Sequence, residues 1–298
     1  MTNVGLVGVG AMGEPMAASL IRAGFAVAVC AHRNREPVAR LVAAGAVDAG
    51  DPAGVGRASE VVITMVPDAP QVEEALFGPR GAVATARPGT LFIDMSTISP
   101  VATAAFDARL RAAGHRFVDS PVSGGPARAA LGTLALMVGA SDADLASAEP
   151  VLKALGTPNH VGPVGMGETV KLVNQILIAN IMVANAEALV FAKKAGANID
   201  VARDVILTAT GSNYLLDKWL PTTWLSGSFA GGFALDLLRK DLGAALDAAK
   251  GLGVPLPASA LAYQLYMAAS GNGHGRDDYS SVATFYQDAA GVDAAEKG

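Results

Sequence analysis

A glycine-rich turn between a strand pattern and a helix pattern constrains the fold of this chain more than any other feature. Gly8, Val9, Gly10, Ala11, Met12 and Gly13 follow the apolar run of residues 4–7 and precede apolar residues at helical spacing. In such a unit Gly8 makes the tight turn, Gly10 lets the backbone approach a pyrophosphate, and Gly13 lets the helix pack on the strand. The helix N-terminus then binds the pyrophosphate. Residues 8–13 are therefore predicted to bind a dinucleotide.

The rest of the first half alternates short β-branched runs with helical patterns. The predicted strands are 4–9, 26–31, 61–66, 90–94, 117–121 and 133–138, and the predicted helices are 12–23, 38–44, 71–77, 101–113 and 142–155. Strands that alternate with helices are typical of a doubly wound parallel sheet. We therefore predict an α/β dinucleotide-binding domain over residues 1–163.

The pattern changes after Val161, where the predicted strands stop. A glycine-rich segment, Gly162–Gly167, separates the two halves, and the remainder has helical periodicity. Its predicted helices are 168–195, 200–208, 214–220, 235–251, 258–269 and 279–289. The first of these is apolar nearly all round, which predicts that it is buried. We therefore predict an all-α domain over residues 164–298, joined to the first by this long helix.

Composition argues against several classes of function. The 298 residues are 51% hydrophobic and 16% charged, and the net charge of −5 gives no support for nucleic-acid binding. The four histidines are scattered without metal-ligand spacing, and the sole cysteine, Cys30, is predicted to lie in the core. Residues 172–186 are apolar but contain four amides, which argues against a membrane span. We expect a cytoplasmic protein with no metal, no nucleic-acid partner and no membrane partner, since the N-terminus also lacks a basic segment before its apolar run.

One lysine stands in an otherwise apolar part of the long helix. Lys171, Asn174 and Gln175 are at positions i, i+3 and i+4, so their side chains share one helix face. A solvated lysine is the ordinary alternative, but the apolar surroundings predict burial. A buried lysine has a lowered pKa and can exchange a proton during turnover.

Several loops follow predicted strands, at the edge of the sheet where ligands bind in such folds. Ser123, Gly124 and Gly125 leave backbone N–H groups uncovered, a plausible cradle for a substrate carboxylate, although the segment also fits an ordinary glycine turn. Met65, Val66 and Pro67, together with Ser96 and Thr97, could line a cofactor groove or be plain loop residues. Lys240 beside Asp241 could likewise be an exposed helix pair.

The end of the second predicted strand bears on the choice of cofactor. NAD-selecting folds normally place an acid there for the ribose 2′-hydroxyl, whereas this strand ends in His32, Arg33, Asn34 and Arg35 with no acid until Glu36. The two arginines suit a 2′-phosphate. NADP is therefore favoured and NAD is possible, since both arginines could be solvated loop residues.

The ordered blocks resemble the signature segments of the β-hydroxyacid dehydrogenase family, of the 3-hydroxyisobutyrate dehydrogenase and 2-hydroxy-3-oxopropionate reductase type. These blocks are residues 8–13, 119–134, 165–175 and 240–241, with further similarity at 94–97 and 273–281. The resemblance implies a Rossmann-type domain and a helical second domain, with Lys171 catalytic and oriented by Asn174. It also implies substrate contacts from Ser123, Gly124, Gly125, Asn174 and Gln175, and cofactor contacts from Thr97 and Lys240.

The sequence departs from the family's pattern at two places, and two other functions are considered. Many members have Asn-Asn where this chain has Asn174-Gln175, which is more similar to the tartronate semialdehyde reductase branch, and many have a small residue at the position of Arg128. The alternatives are an imine reductase and a non-catalytic dinucleotide-binding protein. Retention of Lys171 argues against the first, and retention of Lys171 and of the Ser-Gly-Gly segment argues against the second. We expect reversible oxidation of a small carboxylate-bearing β-hydroxy acid. A homodimer or homotetramer is expected, because the long helix needs covering on every side.

Overall fold

The computed structural model describes residues 2–295 of the chain. It divides into two compact units, residues 1–171 and residues 172–298. The sequence prediction places a domain boundary between residues 163 and 164, just before the long helix. The structural division instead falls inside that helix, directly after Lys171.

Unit 1 contains a mixed sheet. The nine strands of residues 2–295 are β1 (Asn3–Val7), β2 (Ala26–Cys30), β3 (Val47–Asp48), β4 (Val61–Thr64), β5 (Leu91–Asp94), β6 (Arg116–Asp119), β7 (Val122–Ser123), β8 (Leu134–Gly139) and β9 (Gly156–Gly162). Their order is β3-β2-β1-β4-β5-β6-β8-β7, and β9 pairs with β8. The first six strands are parallel, whereas β8 runs antiparallel to β6 and β7. The predicted doubly wound α/β sheet is therefore confirmed.

The order of the first six strands reverses between β1 and β4, because the chain leaves β1 toward β2 and later returns to the other side of β1. In open α/β sheets, ligands bind beyond the carboxyl ends of the strands at such a switch point. The turn at Gly8 follows β1 and the segment that begins with Met65 follows β4. The topology therefore brings these two sequence-predicted segments to one edge of the sheet.

Four of the seven helices of unit 1 begin at a residue whose side chain caps the helix. The seven α-helices within residues 2–165 are α1 (Gly13–Arg22), α2 (Glu36–Ala43), α3 (Pro52–Ala58), α4 (Ala69–Phe77), α5 (Pro100–Ala112), α6 (Gly125–Leu131) and α7 (Asp142–Leu155). Side chains of Asp51, Asp68, Ser99 and Ser141 accept backbone N–H bonds at the starts of α3, α4, α5 and α7. These bonds satisfy N–H groups that have no partner inside the helix.

Apolar side chains cover both faces of the sheet. Along β1, Val4 and Leu6 belong to one core cluster with Met16, whereas Val7 belongs to a second with Phe92. Adjacent strand residues point to opposite faces, so the apolar residues 4–7 of β1 are buried on both sides of the sheet. Cys30 lies in the second cluster and is buried, as predicted.

Unit 2 is helical, as predicted. Its α-helices are the remainder of α8 (Met166–Lys194), α9 (Ile199–Leu207), α10 (Leu235–Leu252), α11 (Pro257–Gly271) and α12 (Ala283–Ala290). A π-helical turn (Leu215–Trp219) and 3₁₀ turns (Leu220–Thr222, Trp224–Ser226, His274–Arg276 and Tyr279–Val282) connect them. Two predicted helices thus differ: 214–220 is a π turn, and 279–289 begins as a 3₁₀ turn. The core of this unit contains Trp224, Tyr266 and Leu238.

The long helix α8 is less buried in the single chain than its composition predicts. Val173 and Leu177 are about half exposed, and Phe191 is 75% exposed. The prediction that this helix is buried therefore holds in the single chain for only part of its surface. Among the described residues, α8 alone is long and apolar enough to cross a membrane, a criterion that core helices of water-soluble proteins also meet. It carries Lys171, Asn174 and Gln175 within that apolar stretch.

Candidate active site

The turn after β1 has the geometry predicted for a dinucleotide turn. Gly8 has φ +103°, and a Cβ at this position would overlap the carbonyl oxygen of Met65. A Cβ at Gly13 would overlap the Gly8 carbonyl oxygen and lie 3.1 Å from Leu6 Cδ2. A Cβ at Gly10 would meet no heavy atom within 4 Å. The two outer glycines are therefore required by packing, whereas Gly10 faces open space and fits a group that approaches the backbone closely.

The start of α1 offers no side chain that competes with a bound anion. Met12 occupies the N-cap position and makes no side-chain capping bond. The helix is ten residues long, so its N-terminal N–H groups and dipole favour negative charge. Glu14 in the first turn pairs instead with Arg40, at 2.6 Å, and this ion pair holds the pKa of Glu14 below its ordinary value. These observations fit the pyrophosphate of a dinucleotide.

The loop after β2 contains the predicted cofactor residues His32, Arg33, Asn34 and Arg35, all exposed. Arg35 Nη2 lies 2.5 Å from Asp48 Oδ2, and Asn34 Oδ1 accepts the Glu36 N–H at 3.0 Å. Asp48 ends β3, the neighbouring strand, and was not identified from the sequence as a site residue. An acid thus lies beside the loop, at the end of β3, and it is paired with Arg35.

A buried aspartate braces the loops that follow β4 and β5. Asp94 Oδ1 accepts the Thr64 hydroxyl at 2.8 Å and the Ser96 N–H at 3.1 Å. Ser96 Oγ in turn accepts the Val66 N–H at 3.0 Å. The predicted cofactor residues Met65, Val66, Pro67 and Thr97 therefore lie in two loops joined by hydrogen bonds. Asp94 is a framework residue that sequence reasoning did not assign to the site.

The predicted substrate loop is a glycine turn between β7 and α6. Gly124 has φ +134° and Gly125 has φ +70°, which are conformations that side-chain-bearing residues rarely adopt. A Cβ at Gly124 would lie 2.8 Å from Cδ of Arg128, so the arginine side chain covers this glycine. Arg128, whose contacts the sequence left open, therefore packs directly on the Ser123–Gly125 loop.

Lys171 is buried in the second turn of α8, as its apolar surroundings predict: only 7% of the residue is exposed. The helix start before it is held by the buried Asp119 at the end of β6, which accepts the Gly165 N–H at 2.8 Å and the Glu168 N–H at 2.9 Å. Glu168 Oε2 accepts the Ile98 N–H at 3.2 Å. Burial raises the pKa of Asp119 to about 6, although its bonds to backbone N–H groups oppose the rise.

A chain of hydrogen bonds in unit 2 joins Asn174, Gln175 and Asp241. Asn174 Nδ2 donates to Gln175 Oε1 at 2.9 Å, and Gln175 Nε2 donates to Asp241 Oδ2 at 2.7 Å. Lys240 Nζ lies 2.9 Å from Asp241 Oδ1. Asp241 is 1% exposed, so Lys240 and Asp241 are not the exposed helix pair that the sequence left open. The structure brings together Asn174, Gln175 and Lys240, and Asp241 joins them.

Among residues 2–295, no three His, Cys, Asp or Glu side chains lie close enough together to hold a metal ion.

Comparisons with known proteins cover nearly the whole chain. Residues 3–173 match the NAD binding domain of 6-phosphogluconate dehydrogenase, and residues 165–286 match the family described as NAD-binding of NADP-dependent 3-hydroxyisobutyrate dehydrogenase. The chain is 40% identical over 292 residues to 2-(hydroxymethyl)glutarate dehydrogenase of Eubacterium barkeri, covering 97% of this chain and 96% of that one. It is 38% identical over 282 residues to 2-hydroxy-3-oxopropionate reductase of Escherichia coli strain K12, covering 94% and 95%.

A solved structure has the same fold over the same extent. The Mycobacterium tuberculosis 3-hydroxyisobutyrate dehydrogenase with L-serine has a TM-score of 0.86 and 35% identity, covering 96% of this chain and 99% of that one. Both halves of the chain thus match one family in order. The chain belongs to the β-hydroxyacid dehydrogenase family and is an NAD(P)-dependent oxidoreductase that interconverts hydroxy acids and semialdehydes.

Proposed function

We propose that Lys171 is the proton donor and acceptor in reversible oxidation of a small β-hydroxy acid to its semialdehyde. The observation that carries this proposal is a lysine 7% exposed on an apolar helix, with Asn174 and Gln175 following at i+3 and i+4. A buried cation is costly unless polar groups surround it. The bound nicotinamide cofactor supplies or accepts hydride. In reduction Lys171 Nζ gives a proton to the carbonyl oxygen, and in oxidation it accepts the hydroxyl proton.

The substrate class that fits is a short hydroxy acid with a free carboxylate. The glycine turn at Ser123, Gly124 and Gly125 suits a substrate carboxylate, with Arg128 packed on it as a cation. The amides of Asn174 and Gln175 can donate or accept hydrogen bonds at the substrate hydroxyl. Relatives of nearly equal identity are named for 2-(hydroxymethyl)glutarate and for 2-hydroxy-3-oxopropionate. Asn174-Gln175 favours the second of these, tartronate semialdehyde.

Substitution of Lys171 tests the reaction. Lys171→Ala is expected to lower kcat by about 10²–10⁴-fold, the range for a positioned acid–base group, while the cofactor still binds. Lys153→Ala is the matched control, because Lys153 is an exposed helix lysine paired with Glu149. The substrate is identified by initial rates of reduction with a panel of semialdehydes and of oxidation with the corresponding β-hydroxy acids. The panel includes tartronate semialdehyde and 3-hydroxyisobutyrate. Near-normal turnover in a folded Lys171→Ala protein would refute the proposed role.

NADP is proposed as the preferred cofactor. Gly8, Val9, Gly10, Ala11, Met12 and Gly13 would hold the pyrophosphate, and His32–Arg35 would surround the adenosine ribose. Arg33 is exposed and suits a 2′-phosphate, whereas Arg35 is paired with Asp48. That pair is itself exposed, so a phosphate can compete for Arg35 at small cost.

The two arginines can be separated by measurement. Arg33→Ala is expected to lower kcat/KM for NADPH by at least about tenfold, the effect of losing one charge-assisted contact, and to leave NADH use unchanged. Arg35→Ala serves as the comparison, with a smaller effect. A wild type that prefers NADH, or an Arg33→Ala variant with unchanged NADPH affinity, would overturn the preference.

A homodimer or homotetramer in the cytoplasm is also proposed. Val173, Leu177 and Phe191 expose apolar surface along one helix, α8, and surfaces of this kind are common at subunit interfaces. The assembly should elute and scatter light as a multiple of 30.0 kDa at micromolar concentration. A mass of one chain would refute it.

A further inference from the structure

A single buried carboxylate bonds to the start of the helix that carries Lys171. Asp119 is 0% exposed and ends β6. One of its oxygens accepts the Gly165 N–H at 2.8 Å, and the other accepts the Glu168 N–H at 2.9 Å. Helix α8 begins at Met166, so both donors belong to the turn where backbone N–H groups have no partner inside the helix. A side chain 46 and 49 residues away in sequence therefore caps this helix.

The surrounding backbone allows this carboxylate little freedom. Gly139 on β8 is the register partner of Asp119, and a Cβ there would lie 2.8 Å from the Asp119 Cγ atom. A Cβ at Gly167 would lie 2.7 Å from Oδ2. Glycine is thus required at both positions because backbone from β8 and α8 closes on the carboxylate. The two hydrogen bonds are held by packing as well as by their own strength.

Asp119 is close in sequence to the predicted substrate loop, Ser123–Gly125, and bonds to the start of α8, which carries Lys171. The chain leaves Asp119 directly into the substrate loop, reaching Ser123 four residues later, and Glu168 precedes Lys171 by one helical turn. A shift of the cap therefore displaces the helix start relative to the loop. Misplacement of a catalytic group by about 1 Å can cost about 10²-fold in rate.

We propose that Asp119 is a positioning residue for proton transfer, because its carboxylate couples the base of the Ser123–Gly125 loop to the first turn of α8 and so holds Lys171 in place. This inference rests on the proposed role of Lys171. It adds a residue that acts through the backbone and touches neither substrate nor cofactor.

The charge of Asp119 offers a readout that packing alone does not. The titratable residues beside it are Asp94, its register partner on β5, and Glu168 on α8, whose N–H it accepts; Gly139 on β8 has no side chain. Burial is the main cause that raises its pKa to about 6, and the like charge of Asp94 contributes to the rise. When Asp119 is protonated, one oxygen becomes an O–H donor and is a weaker acceptor for a helix N–H, because the bond is no longer charge-assisted. Proton transfer by Lys171 should therefore weaken as the pH falls below about 6.

The test compares Asp119→Asn with Asp51→Asn. Asp51 also caps a helix, accepting the Gly54 N–H at 2.9 Å, but α3 carries no site residue. Asp119→Asn keeps the size of the side chain and replaces one acceptor with an NH₂ donor. It is expected to lower kcat by about 10–100-fold with the cofactor Kd unchanged, and to remove the fall in kcat/KM below pH 6. Asp51→Asn should leave kcat and the pH profile as in the wild type.

The outcomes separate this inference from the proposed function. Near-normal turnover in Lys171→Ala would refute the role of Lys171, whereas an inactive Lys171→Ala with a fully active Asp119→Asn would overturn only the role of Asp119. Equal kinetic effects of the two Asn variants would also overturn it. If Asp119→Asn does not fold, the wild-type profile decides: a fall in kcat/KM below about pH 6 in protein that remains folded by circular dichroism supports the inference, and a flat profile overturns it.

Discussion

Alanine at two glycines of the same turn should impair different properties, cofactor binding for Gly10→Ala and stability for Gly13→Ala. A Cβ at Gly10 would meet no heavy atom within 4 Å, whereas one at Gly13 would overlap the Gly8 carbonyl oxygen and lie 3.1 Å from Leu6 Cδ2. Gly10 does not have a positive φ, so alanine can adopt its backbone conformation. The space beside Gly10 is therefore open to a ligand, whereas the space beside Gly13 is filled by the protein itself.

The magnitudes follow from these distances. Gly10→Ala should leave the free energy of unfolding unchanged or raise it by about 0.4–1 kcal/mol, because the unfolded chain loses conformational freedom. Gly13→Ala should lower it by about 1–3 kcal/mol, the usual cost of overpacking, which is about 2–4 °C in Tm for each kcal/mol in a unit of this size. A methyl group at Gly10 would occupy the space for the pyrophosphate, so the cofactor Kd should rise at least about tenfold.

The assay measures stability and affinity separately. Thermal unfolding without cofactor, followed by circular dichroism, gives the first, and titration of NADPH and NADH fluorescence gives the second. Gly251→Ala is the matched control, since a Cβ at this helix glycine also meets nothing within 4 Å but lies outside the turn. Cofactor affinity of Gly10→Ala equal to that of the control, or a Gly13→Ala protein as stable as Gly10→Ala, would refute the reasoning.

Two further predictions concern buried titratable groups. The pKa of Asp119 rises from 3.8 to about 6 on folding. The protonated carboxyl therefore stabilises the folded state below pH 4, and this stabilisation is lost as the pH rises to 6. At 1.36 kcal/mol per pH unit the loss is about 3 kcal/mol. Urea unfolding should show the wild type losing about this much relative to Asp119→Asn between pH 4 and pH 7, and a difference independent of pH would contradict the burial argument. Burial raises the pKa of the Cys30 thiol to about 12. A thiol reagent at pH 8 should therefore leave the native protein unmodified, and it should modify one thiol per chain after unfolding. Rapid labelling of the folded protein would show instead that Cys30 is accessible.

Much of the fold follows from local patterns in the sequence. The predicted helix 142–155 agrees with α7 at both ends, and the six predicted strands all occur, with ends shifted by at most two residues. Such patterns suffice because burial of alternate or helically spaced apolar side chains is a property of each segment. The elements that were missed have weak local signals. Helix α3 contains Gly54 and Gly56, and β9 is largely polar and contains Pro158.

The candidate site also has local features that the sequence predicts and long-range contacts that it does not. By itself the sequence determined the glycine turn, the burial of Lys171 and the sharing of one helix face by Lys171, Asn174 and Gln175, because each depends on residues within one or two helical turns. Only the tertiary structure decided which carboxylates these groups meet. Asp119 reaches the start of α8 across 46 residues, and Asp241 reaches Gln175 across 66. Such pairings depend on the order of strands and the packing of helices, and no pattern in a short segment of sequence contains that information.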